Sequence, residues 1–168
     1  MKKVFYYSYS VGEAGTEVGT GIVEIGIIEE DGKISGVFFR SRKDMPKHRD
    51  SLAVAETPLI KRTAAQLKEY FEHGRKDFDI PLLLWGTDFQ LAVWKALQKI
   101  PYGETRSYKE VAAAAGNAKA CRAAGMANNR NPIAIIIPCH RVIGNDGSLT
   151  GYGGGLDIKQ HLLKLEQV

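Results

Sequence analysis

The sequence predicts an α+β protein, with a small domain of strands and a covering helix over residues 1–84 and a mainly helical domain over residues 85–168. Two observations support this division. Short runs rich in β-branched residues occur before residue 40, whereas apolar residues at helical spacing dominate the second half. The charge divides at the same place, because residues 1–84 carry 13 basic and 13 acidic side chains, whereas residues 85–168 carry ten and six.

The composition excludes several classes of protein. With 44% hydrophobic and 25% charged residues, a chain of 168 residues is neither disordered throughout nor too short for a buried core. Its two cysteines cannot form a disulfide framework and lack the pairing that a zinc site needs. No apolar run approaches the roughly 20 residues of a membrane span, and residues 1–5 do not begin a signal peptide. We expect a cytoplasmic protein that does not contact membranes.

A β-hairpin is predicted near the N-terminus. Residues 21–28 are rich in β-branched side chains and predict a strand, and Asp31 with Gly32 predicts a turn. Residues 34–39 then predict the returning strand. The charged residues 40–50 predict a loop.

A helix is predicted after this loop. Thr57 is its predicted N-cap, Pro58 stands at the first helical position and Gly74 ends it. The predicted inward face of this helix consists of Leu59, Ala64, Leu67 and Phe71. Residues 77–84 predict a strand or the connection between the halves. No residue pattern in the first half indicates a catalytic or binding site.

The second half carries the whole excess of basic side chains. It opens with a predicted helix from the N-cap Thr87 to about Ile100, which is ended by the sequence of residues 101–103. A basic half beside a neutral one suggests a polyanionic partner such as a nucleic acid. This charge pattern alone is a weak signal, because many solvated surfaces are equally basic.

Two short helices with a tight turn between them are predicted next. Ser107 and Glu110 form a capping box that starts the first helix, which ends at Gly116. The second helix is predicted over residues 118–128, so that the pair forms a helix-turn-helix unit. Small side chains dominate this second helix. They suit close packing against another helix and close approach of its backbone to a nucleic-acid groove equally well.

Cys139 is the candidate nucleophile. Residues 133–137 form a short apolar run that predicts a buried strand, and the sequence Pro138-Cys139-His140-Arg141 follows it. Basic neighbours lower a thiol pKa from about 8.5 and so favour the reactive thiolate. A lone cysteine is more often a small buried hydrophobe. We adopt that interpretation for Cys121 and expect a nucleophile at Cys139.

A base and a carboxylate are predicted beside this thiol. Neighbouring side chains usually point apart, so we expect a water between Cys139 and His140 and a carboxylate that orients the imidazole. The C-terminal helix, with Asp157 as its predicted cap, carries a buried stripe and ends near Glu166. Glu166 lies one turn after Leu162 and therefore leans inward. This spacing makes Glu166 a candidate, although a glutamate at a helix end is normally solvated.

The second half resembles the O6-alkylguanine-DNA alkyltransferases, a family that repairs alkylated DNA. The matching residues occur in order over roughly residues 85–168: Ser107-Tyr108, Gly116-Asn117, Arg122-Ala123, Asn131-Pro132, Ile137 to Val142, Gly144, Tyr152, Gly154 to Leu156, Lys159, Leu162-Leu163 and Glu166. The first half matches mainly in length and element pattern. The resemblance implies a ribonuclease-H-like fold for the first domain and a winged helix-turn-helix-like second domain.

The resemblance implies an enzyme that consumes itself. A methyl or larger alkyl group on guanine O6, and less readily on thymine O4, would pass irreversibly to Cys139. The protein would act as a monomer on double-stranded DNA, bind the minor groove, flip the damaged nucleotide and be capable of cooperative binding along the DNA. No cofactor and no metal are implied, because the N-terminal zinc-binding cysteines of some relatives are missing here.

The same resemblance implies catalytic roles for five residues. Cys139 would attack the alkyl carbon, His140 would take the thiol proton through a water, and Glu166 would hold the histidine tautomer. Asn131 would support the turn that holds the cysteine. Tyr108 would donate to guanine N3 and contact the phosphate beside the flipped nucleotide.

The DNA contacts and the base pocket are also implied by the resemblance. Arg122 would fill the gap left by the flipped nucleotide. The other implied DNA contacts are Asn117, Lys119, Ala120, Ala123, Gly125, Asn129 and Arg130. The implied base pocket comprises Tyr108, Cys139, Val142, Tyr152 and Gly153. Gly153 stands where some relatives have serine, and Ala134 stands where some have proline, which would widen the tolerance for bulky alkyl groups.

Three alternatives stay open at this point. A non-catalytic lesion-binding relative would lack the acceptor, whereas Cys139 is present. A helix-turn-helix regulator with a structural cysteine should carry Arg, Asn or Gln aimed at major-groove base edges, whereas this helix is mostly alanine. A cysteine hydrolase with a Cys–His–Glu relay would turn over repeatedly, and it gives no reason for the helix-turn-helix unit.

Overall fold

The computed structural model describes residues 4–11, 23–39 and 52–167, and the chain divides into two compact units, Met1–Leu83 and Leu84–Val168. The predicted loop over 40–50 and the first two residues of the predicted strand over 21–28 lie outside the described residues. The observed class is α+β, with a small N-terminal sheet. Among the described residues, no helix is long and apolar enough to cross a bilayer.

The first unit is built on a four-stranded sheet. Its strands are β1 (Val4–Val11), β2 (Val23–Glu30), β3 (Lys33–Phe39) and β4 (Ala53–Val54), in the spatial order β3-β2-β1-β4. β1 pairs antiparallel with β2, as does β2 with β3, and β4 pairs parallel with β1. The predicted hairpin is therefore present as β2–β3. The sequence analysis did not predict β1.

The turn of the hairpin has the backbone that its residues favour. Asp31 and Gly32 both have positive φ, 49° and 76°. Two such residues in a two-residue loop match the twist of the flanking strands. The predicted turn is confirmed.

Helix α1 (Pro58–His73) covers this sheet. The hydroxyl of Thr57 accepts a hydrogen bond from the Ile60 amide at 3.1 Å, and Gly74 closes the helix at φ 66°. Both ends are therefore as predicted. The buried face differs in part, because it contains Ile60, Ala64, Leu67 and Tyr70, whereas the predicted Leu59 and Phe71 are only half-buried.

The second unit is mainly helical. Its helices are α2 (Asp88–Leu97), α3 (Tyr108–Ala114), α4 (Cys121–Asn129) and α5 (Leu156–Glu166), and its short parallel strands are β5 (Arg106–Ser107) and β6 (Val142–Ile143). Capping boxes start α2 at Thr87 and α3 at Ser107. Helix α4 begins three residues later than predicted because residues 117–120 form a turn, in which the Asn117 side chain accepts from the Lys119 amide at 3.2 Å.

The prediction of a strand over residues 133–137 is wrong. Ile133, Ile135 and Ile137 are buried as expected, but the segment is a compact turn in which the Ile137 amide donates to the Ile133 carbonyl at 3.0 Å. Ile135 has φ 70°, an uncommon value for a β-branched residue. The apolar run indicated burial, which a turn satisfies as well as a strand does.

The predicted cap of α5 is also wrong. The helix begins at Leu156 after Gly155, which has φ 96° and no side chain to cap with. Asp157 lies within the first turn, where its negative charge suits the helix N-terminus. Glu166 is nevertheless the last helical residue and is buried, as its spacing from Leu162 predicts.

Candidate active site

Cys139 begins a short 3-10 helix, Cys139–Arg141, directly after the buried turn. Its side chain is almost fully enclosed, with the residue 5% exposed. The thiol sulphur accepts a hydrogen bond from Asn131 Nδ2 at 3.0 Å. A single buried thiol is thus held at a defined point by a side-chain amide.

Asn131 also shapes the turn that positions the thiol. Its Nδ2 donates to the Ile137 carbonyl at 2.7 Å, and its Oδ1 accepts from the Ile133 amide at 3.0 Å. One side chain therefore bonds both ends of the turn and the sulphur. This placement fits the supporting role that the resemblance implies for Asn131.

The thiol pKa moves in the opposite direction to the sequence expectation. Burial raises the pKa of Cys139, and this effect exceeds the lowering by the Asn131 hydrogen bond and by the charge of Lys159. The sequence expectation considered only the basic neighbours of the thiol. It omitted the free-energy cost of holding a charged thiolate in a desolvated site. The resting side chain is therefore a neutral thiol that needs a proton acceptor.

His140 is a neutral base with one free ring nitrogen. Its Nε2 lies 2.7 Å from Glu166 Oε1, and the residue is fully buried. Burial lowers the pKa of His140, although the bond to Glu166 opposes this. Within the described residues, its Nδ1 has no hydrogen-bond partner. Since Glu166 accepts the proton on Nε2, the lone pair on Nδ1 is available to receive another.

Arg141 belongs to this cluster, whereas the sequence analysis treated it only as a basic neighbour of the thiol. Its Nε donates to Glu166 Oε2 at 2.8 Å and its Nη2 to Glu166 Oε1 at 3.0 Å. The guanidinium is buried together with the carboxylate. A glutamate predicted to lean inward needs a positively charged partner. A search for that partner in the sequence could have found Arg141.

Lys159 is the second buried cation, and the sequence analysis left it without a role. Its ammonium donates to the carbonyls of Val142 and Thr150, and it lies 5.7 Å from the centre of the Tyr108 ring. Burial lowers the pKa of Lys159 to about 8. Lys159 is spaced from Leu162 and Glu166 as residues of one helix face are, which was a usable signal.

Tyr108, a residue of the implied base pocket, donates to the Thr150 carbonyl that also accepts from Lys159. The Tyr108 hydroxyl donates to the Thr150 carbonyl at 2.8 Å, and burial raises its pKa. A β-carbon on Gly125 would lie 3.6 Å from the Tyr108 ring, so α4 passes close to this tyrosine. Val142 is buried, Tyr152 is half-buried and Gly153 is exposed.

Helix α4 has one packed face and one open face. Ala124 and Ala127 are buried, and the Ala127 carbonyl accepts from the Trp94 indole at 2.9 Å. The exposed face consists of Arg122, Ala123, Met126, Asn129 and Arg130. The buried alanines confirm the packing interpretation for one face, and the approach of the other face to a nucleic-acid groove stays a prediction. Met126, 56% exposed, was not among the predicted contacts.

The remaining predicted DNA contacts lie in the turn before α4 and on the flank of the helix. Asn117 and Lys119 are exposed, whereas Ala120 and Gly125 are half-buried. The carboxamide of Asn128, on the packed side, donates to the Cys139 carbonyl at 3.3 Å. This contact connects the helix to the thiol segment.

Among the described residues, no group of three or more His, Cys, Asp or Glu could hold a metal ion.

Comparison with known proteins gives a consistent set of similarities. Residues 88–168 match the family model described as 6-O-methylguanine DNA methyltransferase, DNA binding domain. The methylated-DNA–protein-cysteine methyltransferase of Methanosarcina barkeri is 64% identical over 109 residues, which cover 65% of this chain and 69% of that protein. The constitutive enzyme of that name from Bacillus subtilis is 45% identical over 157 residues, covering 91% and 94%.

Solved structures resemble the chain over almost its whole length. The O6-methylguanine methyltransferase of Mycobacterium tuberculosis matches with a TM-score of 0.82 and 38% identity, covering 99% of this chain and 93% of that one. A structure of Mycobacterium tuberculosis OGT in complex with DNA matches with a TM-score of 0.82 and 40% identity, covering 97% and 92%.

Proposed function

Since the chain belongs to the family of methylated-DNA–protein-cysteine methyltransferases, we propose that Cys139 is the cysteine that accepts the alkyl group. The protein is a DNA-repair enzyme that transfers an alkyl group to a cysteine. One observation carries the assignment of Cys139: its buried thiol is followed directly by an imidazole that is bonded to a buried carboxylate. Cys121 is half-buried at the start of α4, and its thiol donates a weak hydrogen bond to the Ala118 carbonyl, at 3.6 Å.

The proposed substrate is double-stranded DNA with an alkyl group on guanine O6, and less readily on thymine O4. The Cys139 sulphur attacks the alkyl carbon, so that a sulphur–carbon bond forms as the carbon–O6 bond breaks. The bonding electron pair moves into the guanine, which takes up a proton. The thiol proton moves to His140, and the cysteine becomes a thioether. A thioether is a poor leaving group, so each molecule acts once.

The buried cluster supports the proton transfer. We place a bridging water between the thiol and the unpartnered Nδ1 of His140, as the sequence analysis expected. The imidazolium that forms is then paired with Glu166 at 2.7 Å. The Asn131 amide and the Lys159 charge both favour the developing thiolate. Each of these groups is in place before the reaction begins, which lowers the cost of charge separation.

The substrate base is proposed to enter between Tyr108 and the loop around Tyr152 and Gly153. The Val142 carbonyl already accepts from Lys159, and the Cys139 carbonyl accepts from the Asn128 carboxamide and from the Val142 amide. The guanine edge is therefore proposed to share these two acceptors with bonds that are already present. To donate to guanine N3, the Tyr108 hydroxyl exchanges its bond to the Thr150 carbonyl for one to the base. Binding of the base therefore reorganises hydrogen bonds that are already present.

The open face of α4 is the proposed minor-groove surface. Its small Ala123 lets the backbone approach the DNA, and Arg122 and Arg130 supply positive charge. Met126 lies on this exposed face with Arg122 and adds an apolar contact of the kind that minor-groove proteins use. Asn117, Lys119, Ala120, Gly125 and Asn129 complete the proposed contacts.

The finer architecture also remains a proposal. A ribonuclease-H-like first unit is supported by its mainly antiparallel sheet and the covering helix α1. A winged helix-turn-helix-like second unit is supported by α3, the turn at Gly116 and α4. We further propose a monomer that acts in the cytoplasm and can bind cooperatively along DNA.

The stoichiometry of repair tests the proposed function. With a duplex containing O6-methylguanine in large excess, we expect the amount of restored guanine to equal the amount of protein and then to stop rising. Chromatography of the hydrolysed DNA measures this amount. Product in excess of protein would indicate a turnover hydrolase instead. No product at all would indicate a DNA-binding regulator.

The Arg122→Ala variant tests nucleotide flipping. Unstacking a base costs a few kcal/mol, and about 1.4 kcal/mol corresponds to tenfold in an equilibrium constant. We therefore expect repair of duplex DNA to slow by about 10- to 100-fold, while reaction with free O6-methylguanine base stays unchanged. Single-turnover rates with both substrates measure the difference. Lys119→Ala is the matched control, and we expect it to weaken DNA binding mainly at low salt, because it removes one charge that can pair with a phosphate. Equal losses on both substrates would contradict the role of Arg122.

A further inference from the structure

The Glu166 carboxylate is hydrogen-bonded to three residues from two segments of the second unit. His140 Nε2 lies 2.7 Å from Oε1, and the Gly103 amide donates to Oε2 at 3.3 Å. The Arg141 guanidinium donates to both oxygens, at 2.8 Å and 3.0 Å. Such a two-pronged contact fixes the plane of the carboxylate as well as its position. The carboxylate is therefore oriented mainly by Arg141.

Arg141 is itself held rigidly. Its Nη1 donates to the Ile100 carbonyl at 2.6 Å, and the Tyr102 ring lies 5.7 Å from its guanidinium carbon. All three nitrogens of the guanidinium thus have an acceptor. A lysine in its place would supply the same charge with a flexible, single-point contact.

The charges of Arg141 and Glu166 compensate each other beside His140. A buried carboxylate requires a positive partner, because an isolated charge is strongly disfavoured in a desolvated site. Without Arg141, the nearest group able to supply that charge is the imidazole, which contacts the same oxygen. The imidazole would then be protonated before the reaction and could not accept the thiol proton.

We propose that Arg141 is a positioning residue that supplies the counter-charge for Glu166 and thereby keeps the His140 imidazole neutral until alkyl transfer. The proposal rests on the proposed role of His140 as proton acceptor. The charged and titratable groups that face His140 are Glu166 and Lys159 from α5, and Cys139 and Arg141 from its own segment. Tyr102 lies beyond Arg141. Burial and the two cations lower the pKa of His140, and Glu166 raises it.

Nuclear magnetic resonance of His140 in the whole protein tests the proposal. In the unmodified chain, we expect a neutral ring with its proton on Nε2 at pH 7. In Arg141→Gln, which keeps hydrogen-bonding groups but removes the charge, we expect the His140 pKa to rise by about one pH unit or more. A cationic His140 in the unmodified chain would overturn the proposal, and this readout does not depend on a variant that folds.

The pH profile of alkyl transfer distinguishes an effect of Arg141 on the His140 pKa from a purely structural role of Arg141. A raised base pKa moves the rising part of the profile to higher pH. If the His140 pKa rises by about one pH unit, Arg141→Gln should lose up to about tenfold in rate at pH values below the His140 pKa and recover at high pH. Arg141→Lys keeps the charge and should keep the profile. A loss that is equal at every pH in both variants would overturn the proposal. Stoichiometric transfer to Cys139 in the unmodified chain would leave the proposed function intact.

Discussion

Replacing Cys139 with alanine is expected to abolish alkyl transfer while DNA binding is retained. The sulphur is the proposed bonding atom, and no other described thiol lies beside a base. The proposed DNA surface consists of exposed side chains of α4, which are separate from the Asn131 amide that holds the thiol. Restored guanine measures transfer, and fluorescence anisotropy with a labelled duplex measures binding.

Cys121→Ala is the matched control for this variant. Cys121 is half-buried, and its sulphur makes one weak contact with the turn before α4. We expect transfer by this variant to be close to that of the unmodified chain. Transfer that persists in Cys139→Ala would contradict the assignment of the acceptor. Loss of DNA binding in Cys139→Ala would show that the thiol matters for the fold.

Replacing His140 with glutamine is expected to slow transfer by about 10²- to 10⁴-fold at pH 7, the usual contribution of a general base. Burial raises the pKa of the Cys139 thiol, so almost all of it stays protonated at neutral pH when no base is present. Glutamine can still donate to Glu166, which limits damage to the buried cluster. Single-turnover rates between about pH 6.5 and 9.5 measure the effect.

The pH dependence of this variant has a defined sign. Thiolate becomes the reactive form, and its fraction rises about tenfold per pH unit below the thiol pKa. The variant should therefore gain rate steeply with pH, whereas the unmodified chain should change little above the lowered pKa of His140. His161→Gln, on α5 outside the cluster, is the control and should behave normally. A His140→Gln rate equal to that of the unmodified chain at pH 7 would contradict the relay.

Local signals predicted much of the fold. The caps at Thr57, Thr87 and Ser107 and the turn at residues 31–32 depend on side chains close in sequence, and the structure confirms all four. The turn over residues 133–137 was mistaken for a strand because an apolar run predicts that a segment is buried but does not predict its backbone conformation. That path follows from the contacts of the Asn131 side chain. Strand β1 was missed because its pairing with β2 is not a local feature.

The site residues that could be predicted are those whose reactive side chains also stand at an informative spacing in the sequence. Cys139 and His140 are adjacent, and Glu166 follows from helical spacing. Arg141 was treated only as a basic neighbour of the thiol and Lys159 was given no role, because charged side chains are usually solvated. Only the folded structure shows that both are buried with partners. The direction of the thiol pKa shift was wrong because desolvation depends on packing.

The location of the transferred group tests the central claim most directly. After reaction with a duplex containing O6-methylguanine, trypsin releases Cys139 in the peptide of residues 131–141 and Cys121 in the peptide of residues 120–122. Mass spectrometry should find one methyl group on the Cys139 peptide, in an amount equal to the restored guanine, and none on the Cys121 peptide. An unmodified Cys139 peptide beside restored guanine would contradict the account.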